Sequence, residues 1–115
     1  ISDRVDFLGW VDEPHTLMLQ SKCLVMCSLY EGSPVTLAEA IALGVPIISY
    51  NSSAGITDLF SDEIKSIALV ESQNIPQLSK NLLLVIDRPY LYSENNQNII
   101  SMKNMSDKFL NFISN

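Results

Sequence analysis

The chain is poor in charge, in histidine and in cysteine, and each shortage closes off a class of function. Only 17% of its 115 residues are charged, seven of them Lys or Arg and thirteen Asp or Glu, for a net charge of -6. The basic residues stand singly, so no stripe exists to follow a phosphodiester backbone, and the overall charge repels a polyanion. No nucleic-acid partner is expected. No apolar stretch approaches the ~20 residues of a membrane-spanning helix, and no basic segment followed by an apolar one opens the chain. The composition is that of a soluble, unexported, cytoplasmic protein. His15 is the only histidine, and with two cysteines it forms no cluster at metal-ligand spacing, so neither a metal nor a cofactor is expected. Its polar neighbours read as a solvated helix start. Cys23 and Cys27 share one apolar run; as strand residues they would lie roughly 13 Å apart on the same face, too far for a disulfide, and read as buried free thiols.

What the chain does have is apolar mass, 47% hydrophobic residues, enough for one small core. It opens on Ile1, not on a methionine, and reads as a single incomplete domain over 1–115, a piece of a longer product. Short β-type runs alternate with helical patterns, which predicts βα units and a mostly parallel sheet. Strands are expected at residues 5–8, 24–28, 45–50 and 67–70, the second buried on both faces because it is apolar at nearly every position. A helix is expected over 14–20, capped by Asp12 with Leu17 and Met18 inward, and another over 34–43. The second has Ser33 at its N-cap, Pro34 at its first position, and Gly44 and Pro46 beyond its end. Residues 52–60 form a polar loop leading into a short helix. Ile75, Leu78, Leu82, Val85 and Ile86 recur at helical spacing and predict an amphipathic helix over 75–87. Met102, Met105, Phe109 and Phe112 predict a C-terminal helix.

One residue in this pattern stands out chemically. Glu39 lies among Val35, Leu37, Ala38, Ala40, Ile41 and Ala42, on a helix that reads as buried all round. A carboxylate there needs donors or a raised pKa. Its donors are either groups of its own protein or a ligand, and vicinal sugar hydroxyls suit its two acceptor oxygens. Glu31 stands eight positions earlier, in the turn where a strand hands over to this helix, the place where open α/β sheets bind ligands. The first amides of the helix, those of Val35, Thr36 and Leu37, lack intrahelical acceptors and sit at the positive end of its dipole, which suits phosphate. Gly32 lets the backbone approach a ligand closely.

The order of these parts is more specific than any one of them. Glu31-Gly32-Ser33-Pro34-Val35-Thr36-Leu37-Ala38-Glu39-Ala40, followed by Gly44-Val45-Pro46, resembles the donor-site signature of retaining GT-B glycosyltransferases of the group 1, or family 4, type. Phe7-Leu8-Gly9-Trp10-Val11 is similar to an upstream segment of that family, and Leu24 to Ser28 to its apolar strand. The resemblance covers about half the chain. It implies an α/β fold, a Rossmann-like parallel sheet with flanking helices, forming the latter part of the C-terminal domain of a GT-B enzyme.

It also implies roles. Glu39 would hold the ribose hydroxyls of a nucleoside-diphosphate sugar, and Glu31 would lie close to the transferred sugar as the catalytic candidate. Gly32, Ser33 and Pro34 would form the loop beneath the sugar, and the backbone of Val35, Thr36 and Leu37 would approach the diphosphate. Gly9, Trp10 and Val11 would lie near the base. The family's diphosphate-binding Arg and Lys have no match here, because Arg4, Lys22 and Lys65 stand in other contexts. Its N-terminal acceptor domain has no counterpart either, so the fragment alone is expected to be inactive and its exposed sheet edge to favour self-association. The full-length enzyme, making a glycan or glycolipid, would be free to sit at the membrane periphery. A GT-B nucleotide-sugar epimerase, one half of a split transferase and an inactive interaction module remain as alternatives.

Overall fold

The structure is a computed structural model and describes residues 1–30 and 35–91. Its centre is a strand that is hydrophobic at three of four positions, β2 (Ile47–Tyr50), and every one of its residues is buried. A strand buried at successive residues must be covered on both faces, because neighbouring side chains point to opposite sides. Parallel neighbours flank it in the order β1-β2-β3, with β1 (Leu24–Met26) pairing Val25 to Ile48 and β3 (Leu69–Val70) pairing Val70 to Tyr50. The expected α/β architecture, a parallel sheet with flanking helices in the Rossmann manner, is therefore present.

The helices in chain order are α1 (Pro14–Gln20), α2 (Val35–Ala42), α3 (Ala54–Thr57), α4 (Asp62–Ala68) and α5 (Ile75–Asp87). Helices α2, α4 and α5 all contact β2, and α1 packs on α2. Leu37, Ile47, Ile48, Ile56, Ile64 and Val85 are fully or almost fully buried in the shared core. The end of α2 follows from its glycine: Gly44 takes φ +74°, its N–H donates to Ile41 O (3.0 Å), and the Val45 N–H donates to Ala40 O (2.9 Å). Those two bonds are a Schellman stop, and Pro46 prevents further winding. Helix α5 has the bounds that its apolar spacing predicts, with Asn74 Oδ1 accepting the Gln77 N–H at 3.1 Å as its N-cap.

Several expectations are corrected. Residues 5–8 form no strand; a 3₁₀ turn at Ser2–Arg4 precedes a segment without regular secondary structure in which every residue through Trp10 is exposed. Among the described residues the apolar run has no strand to pair with, and β-propensity expresses itself only against one. Asp12 does not cap α1; it accepts instead from Trp10 Nε1 (3.1 Å), and Glu13 occupies the N-cap without a side-chain bond. Met18 points inward, whereas Leu17 is exposed. Strand β1 is three residues long and lies at an edge of the described sheet, with Val25 38% exposed, so it is not buried on both faces. Cys27 is exposed; only Cys23 is partly buried. The polar loop after β2 contains the extra helix α3, capped by Ser53. The C-terminal helix expected from Met102 to Phe112 lies outside the described residues.

Candidate donor-binding site

The site is organised by α2, the helix that leaves the carboxyl end of β1. Among the candidate residues, Glu31, Gly32, Ser33 and Pro34 lie outside the described residues, together with the expected N-cap. Val35, Thr36 and Leu37 form the first described turn of α2: Thr36 is exposed, Val35 is half-buried and Leu37 is fully enclosed in the core. Its side chain is therefore closed to any ligand, and only its backbone could meet one.

Glu39 lies one turn further on. It is not enclosed: its side chain is 29% exposed. Helix α2 reads as buried all round because it is rich in alanine, yet Ala42 is exposed, and Thr36, Glu39, Ala42 and Leu43 follow one side of it. Glu39, Ala42, Leu43 and His15 line an open recess of about 240 Å³ between α1 and α2. The carboxylate faces this recess instead of an apolar interior.

It also has a protein partner. His15 Nε2 stands 3.5 Å from Glu39 Oε2, near enough for charge pairing with a protonated imidazole and longer than a tight hydrogen bond. The ring is half exposed, so His15 is solvated, but its neighbour is a specific carboxylate and not solvent alone. Sequence reading missed this residue, since His15 and Glu39 are 24 positions apart and no local pattern joins them.

Gly9, Trp10 and Val11 belong to the N-terminal segment without regular secondary structure. Gly9 takes φ +66° with open space around its Cα, Trp10 is 91% exposed, and Val11 is half-buried without joining the core. The structure does not bring them into the recess. Among the cations, Lys65 is engaged by Asp62 within α4 at 3.0 Å, remote in role from α2. Among the described residues no three metal-ligating side chains gather, and no helix is long and apolar enough to cross a membrane.

A parallel sheet with a carboxylate-bearing helix following its edge strand makes this an α/β domain. Sequence comparison identifies which one. The model of the family Glycosyl transferases group 1 matches residues 1–104, and the chain belongs to that family. It is 33% identical over 92 residues to an uncharacterized glycosyltransferase of Haemophilus influenzae, covering 80% of this chain and 26% of that protein. A lipopolysaccharide 1,6-galactosyltransferase of Escherichia coli is 34% identical over 68 residues, 56% of this chain and 19% of the relative. An alpha-1,4-N-acetyl-D-galactosaminyltransferase of Campylobacter jejuni, whose name gives an undecaprenol-linked glycan as acceptor, is 36% identical over 84 residues, 73% and 23%. The chain thus spans about a quarter or less of the length of these relatives. No solved structure matches it significantly.

Proposed function

We propose that this chain is the donor-binding portion of a retaining glycosyltransferase that moves a sugar from a nucleoside-diphosphate sugar to a glycan or glycolipid acceptor. The observation that carries this reading is the placement of Glu39: the one charged side chain of a helix that is apolar but for Thr36, half-buried and facing an open recess instead of the core. Its two oxygens suit adjacent ribose hydroxyls. The amides of Val35, Thr36 and Leu37, at the positive end of α2, would face the diphosphate. Glu31 would act beside the transferred sugar, with Gly32, Ser33 and Pro34 beneath it, and Gly9, Trp10 and Val11 would approach the base. The chain's share of the chemistry is electrostatic, since oriented backbone dipoles stabilise the charge that develops on the departing diphosphate. The cationic groups that complete such a site, and the acceptor domain, would come from outside these residues. The names of the relatives, which specify galactosyl and N-acetylgalactosaminyl transfer, agree with a sugar-nucleotide donor without fixing which one.

The test is donor affinity and turnover of Glu39→Ala and Glu31→Ala in the enzyme that carries this chain. Loss of a charged hydrogen bond of about 1.5–3 kcal/mol predicts donor binding weakened by one to two orders of magnitude for Glu39→Ala. Glu31→Ala is expected to lower turnover more than affinity. Unaltered binding and turnover in both variants would remove the assignment. A second reading has one observation in its favour, the contact with His15: Glu39 would then simply tie α1 to α2, and calorimetry with several nucleotide sugars would detect no binding.

A further inference from the structure

We propose that His15 is a positioning residue for donor binding, holding one oxygen of Glu39 so that the other is presented to the ligand. This rests on the reading of Glu39 as a donor-binding carboxylate. His15 is the second residue of α1, one turn before Met18, whose burial in the core docks that face of the helix. Pro14 at the helix start fixes the backbone that carries the ring. His15 and Glu39 are the only titratable side chains within α1 and α2, with Glu13 at the N-cap of α1 the nearest other charge in sequence. The imidazole meets Oε2 at 3.5 Å, and Oε1 has no hydrogen-bond partner among the described residues. Ala42 and Leu43 leave the neighbouring wall of the recess apolar. A glutamate on an exposed helix face samples many rotamers, and ordering it opposes binding. An imidazole already beside one oxygen restricts that freedom before the ligand arrives.

In the full transferase, His15→Leu is expected to raise the donor KM and Kd by about three- to ten-fold while kcat stays within about two-fold. His15→Gln, which retains an N–H donor of similar reach, restores at least half of the affinity. In a Glu39→Gln background His15→Leu adds no further loss, because the charge that it steadies is gone. The inference is overturned if His15→Leu leaves donor KM unchanged, if its loss adds in full to that of Glu39→Gln, or if it lowers the melting temperature with no effect on KM. The underlying assignment fails separately: a Glu39→Gln enzyme with wild-type donor KM overturns both.

Discussion

The first ten residues and the segment around β2 both carry several large apolar side chains and are opposite in structure. Residues 1–10 include Ile1, Val5, Phe7, Leu8 and Trp10, and all are exposed, Phe7 at 95%. Residues 45–50 carry Val45, Ile47, Ile48 and Tyr50, and all are buried. Hydrophobicity alone does not make a strand. What separates the two is partnership: β2 has a hydrogen-bonded neighbour on each side and helices against it, whereas the N-terminal segment pairs with no strand among the described residues.

The sharpest way to break that comparison is to truncate one side chain in each region. Ile48 is fully buried at the middle of the sheet, so Ile48→Ala is expected to cost about 2–5 kcal/mol in chemical denaturation of the chain. Trp10→Ala removes a larger side chain and is expected to change stability by less than about 0.5 kcal/mol, because almost nothing is packed against it. A comparable cost for both would mean that the N-terminal segment is part of the core. The same exposed residues and the edge of β1 predict self-association of the 115-residue chain. Sedimentation should show it diminish in a Phe7→Ser, Trp10→Ser variant; a monodisperse monomer before substitution would contradict the expectation.

The next effect concerns a polar group inside the well-packed region. Asn81 is almost fully buried on α5, donates through Nδ2 to Ile67 O (2.9 Å) and Ser66 O (3.3 Å), and accepts from Gln77 Nε2 (2.6 Å). It fastens α5 to the end of α4. Asn81→Ala strands two carbonyls and is expected to cost about 1–3 kcal/mol, and Asn81→Leu no less, since its methyl groups cannot satisfy them. Neutral replacement by leucine would show that the carbonyls find other donors.

Asn81 also marks the limit of what sequence reading reaches. Helix α5 and the stop of α2 were legible, because apolar spacing and Gly-x-Pro at a helix end are local signals whose meaning does not depend on distant residues. Glu39 was legible as a lone acid on an apolar helix. Its exposure was not, since alanines look like core residues in a sequence and sit equally well at a surface. The contacts between Asn81 and Ile67 and between His15 and Glu39 were not legible either, for they are set by how helices dock. The N-terminal segment failed for the opposite reason: its local pattern asked for a strand, and no tertiary partner among the described residues answers it.

Two glycines sharpen the comparison further. Gly44 (φ +74°) and Gly9 (φ +66°) hold the same left-handed conformation, and a Cβ added at either meets nothing within 4 Å. Any cost of alanine is therefore conformational, about 1–2 kcal/mol where the backbone is held. Gly44 is held by the two hydrogen bonds that end α2, so Gly44→Ala should incur the whole of it. In the exposed N-terminal segment the chain can relax, and Gly9→Ala should cost a few tenths of a kcal/mol in a matched melting experiment. Equal losses would show that the N-terminal segment is as firmly fixed as the helix stop.

The last effect, a loss of stability confined to alkaline pH, lies at the margin of the core. Cys23 immediately precedes β1 and is partly buried, and burial raises its thiol from 9.0 to about 11, with a backbone hydrogen bond from Ile48 acting in the other direction. The folded chain thus keeps the thiol proton between pH 9 and about 11, where the unfolded chain releases it. Folding binds more protons there, so this contribution to stability is complete below pH 9 and is lost as pH rises toward about 11. Comparison of wild type with Cys23→Ala isolates it from the other groups that titrate at alkaline pH: the wild type should lose more stability across that window. Iodoacetamide at pH 8 gives an independent check, because thiolate is the reacting form and Cys27 is exposed. Cys27 should be modified first and Cys23 only slowly. Equal rates would place Cys23 with the solvated N-terminal residues and not at the margin of the core.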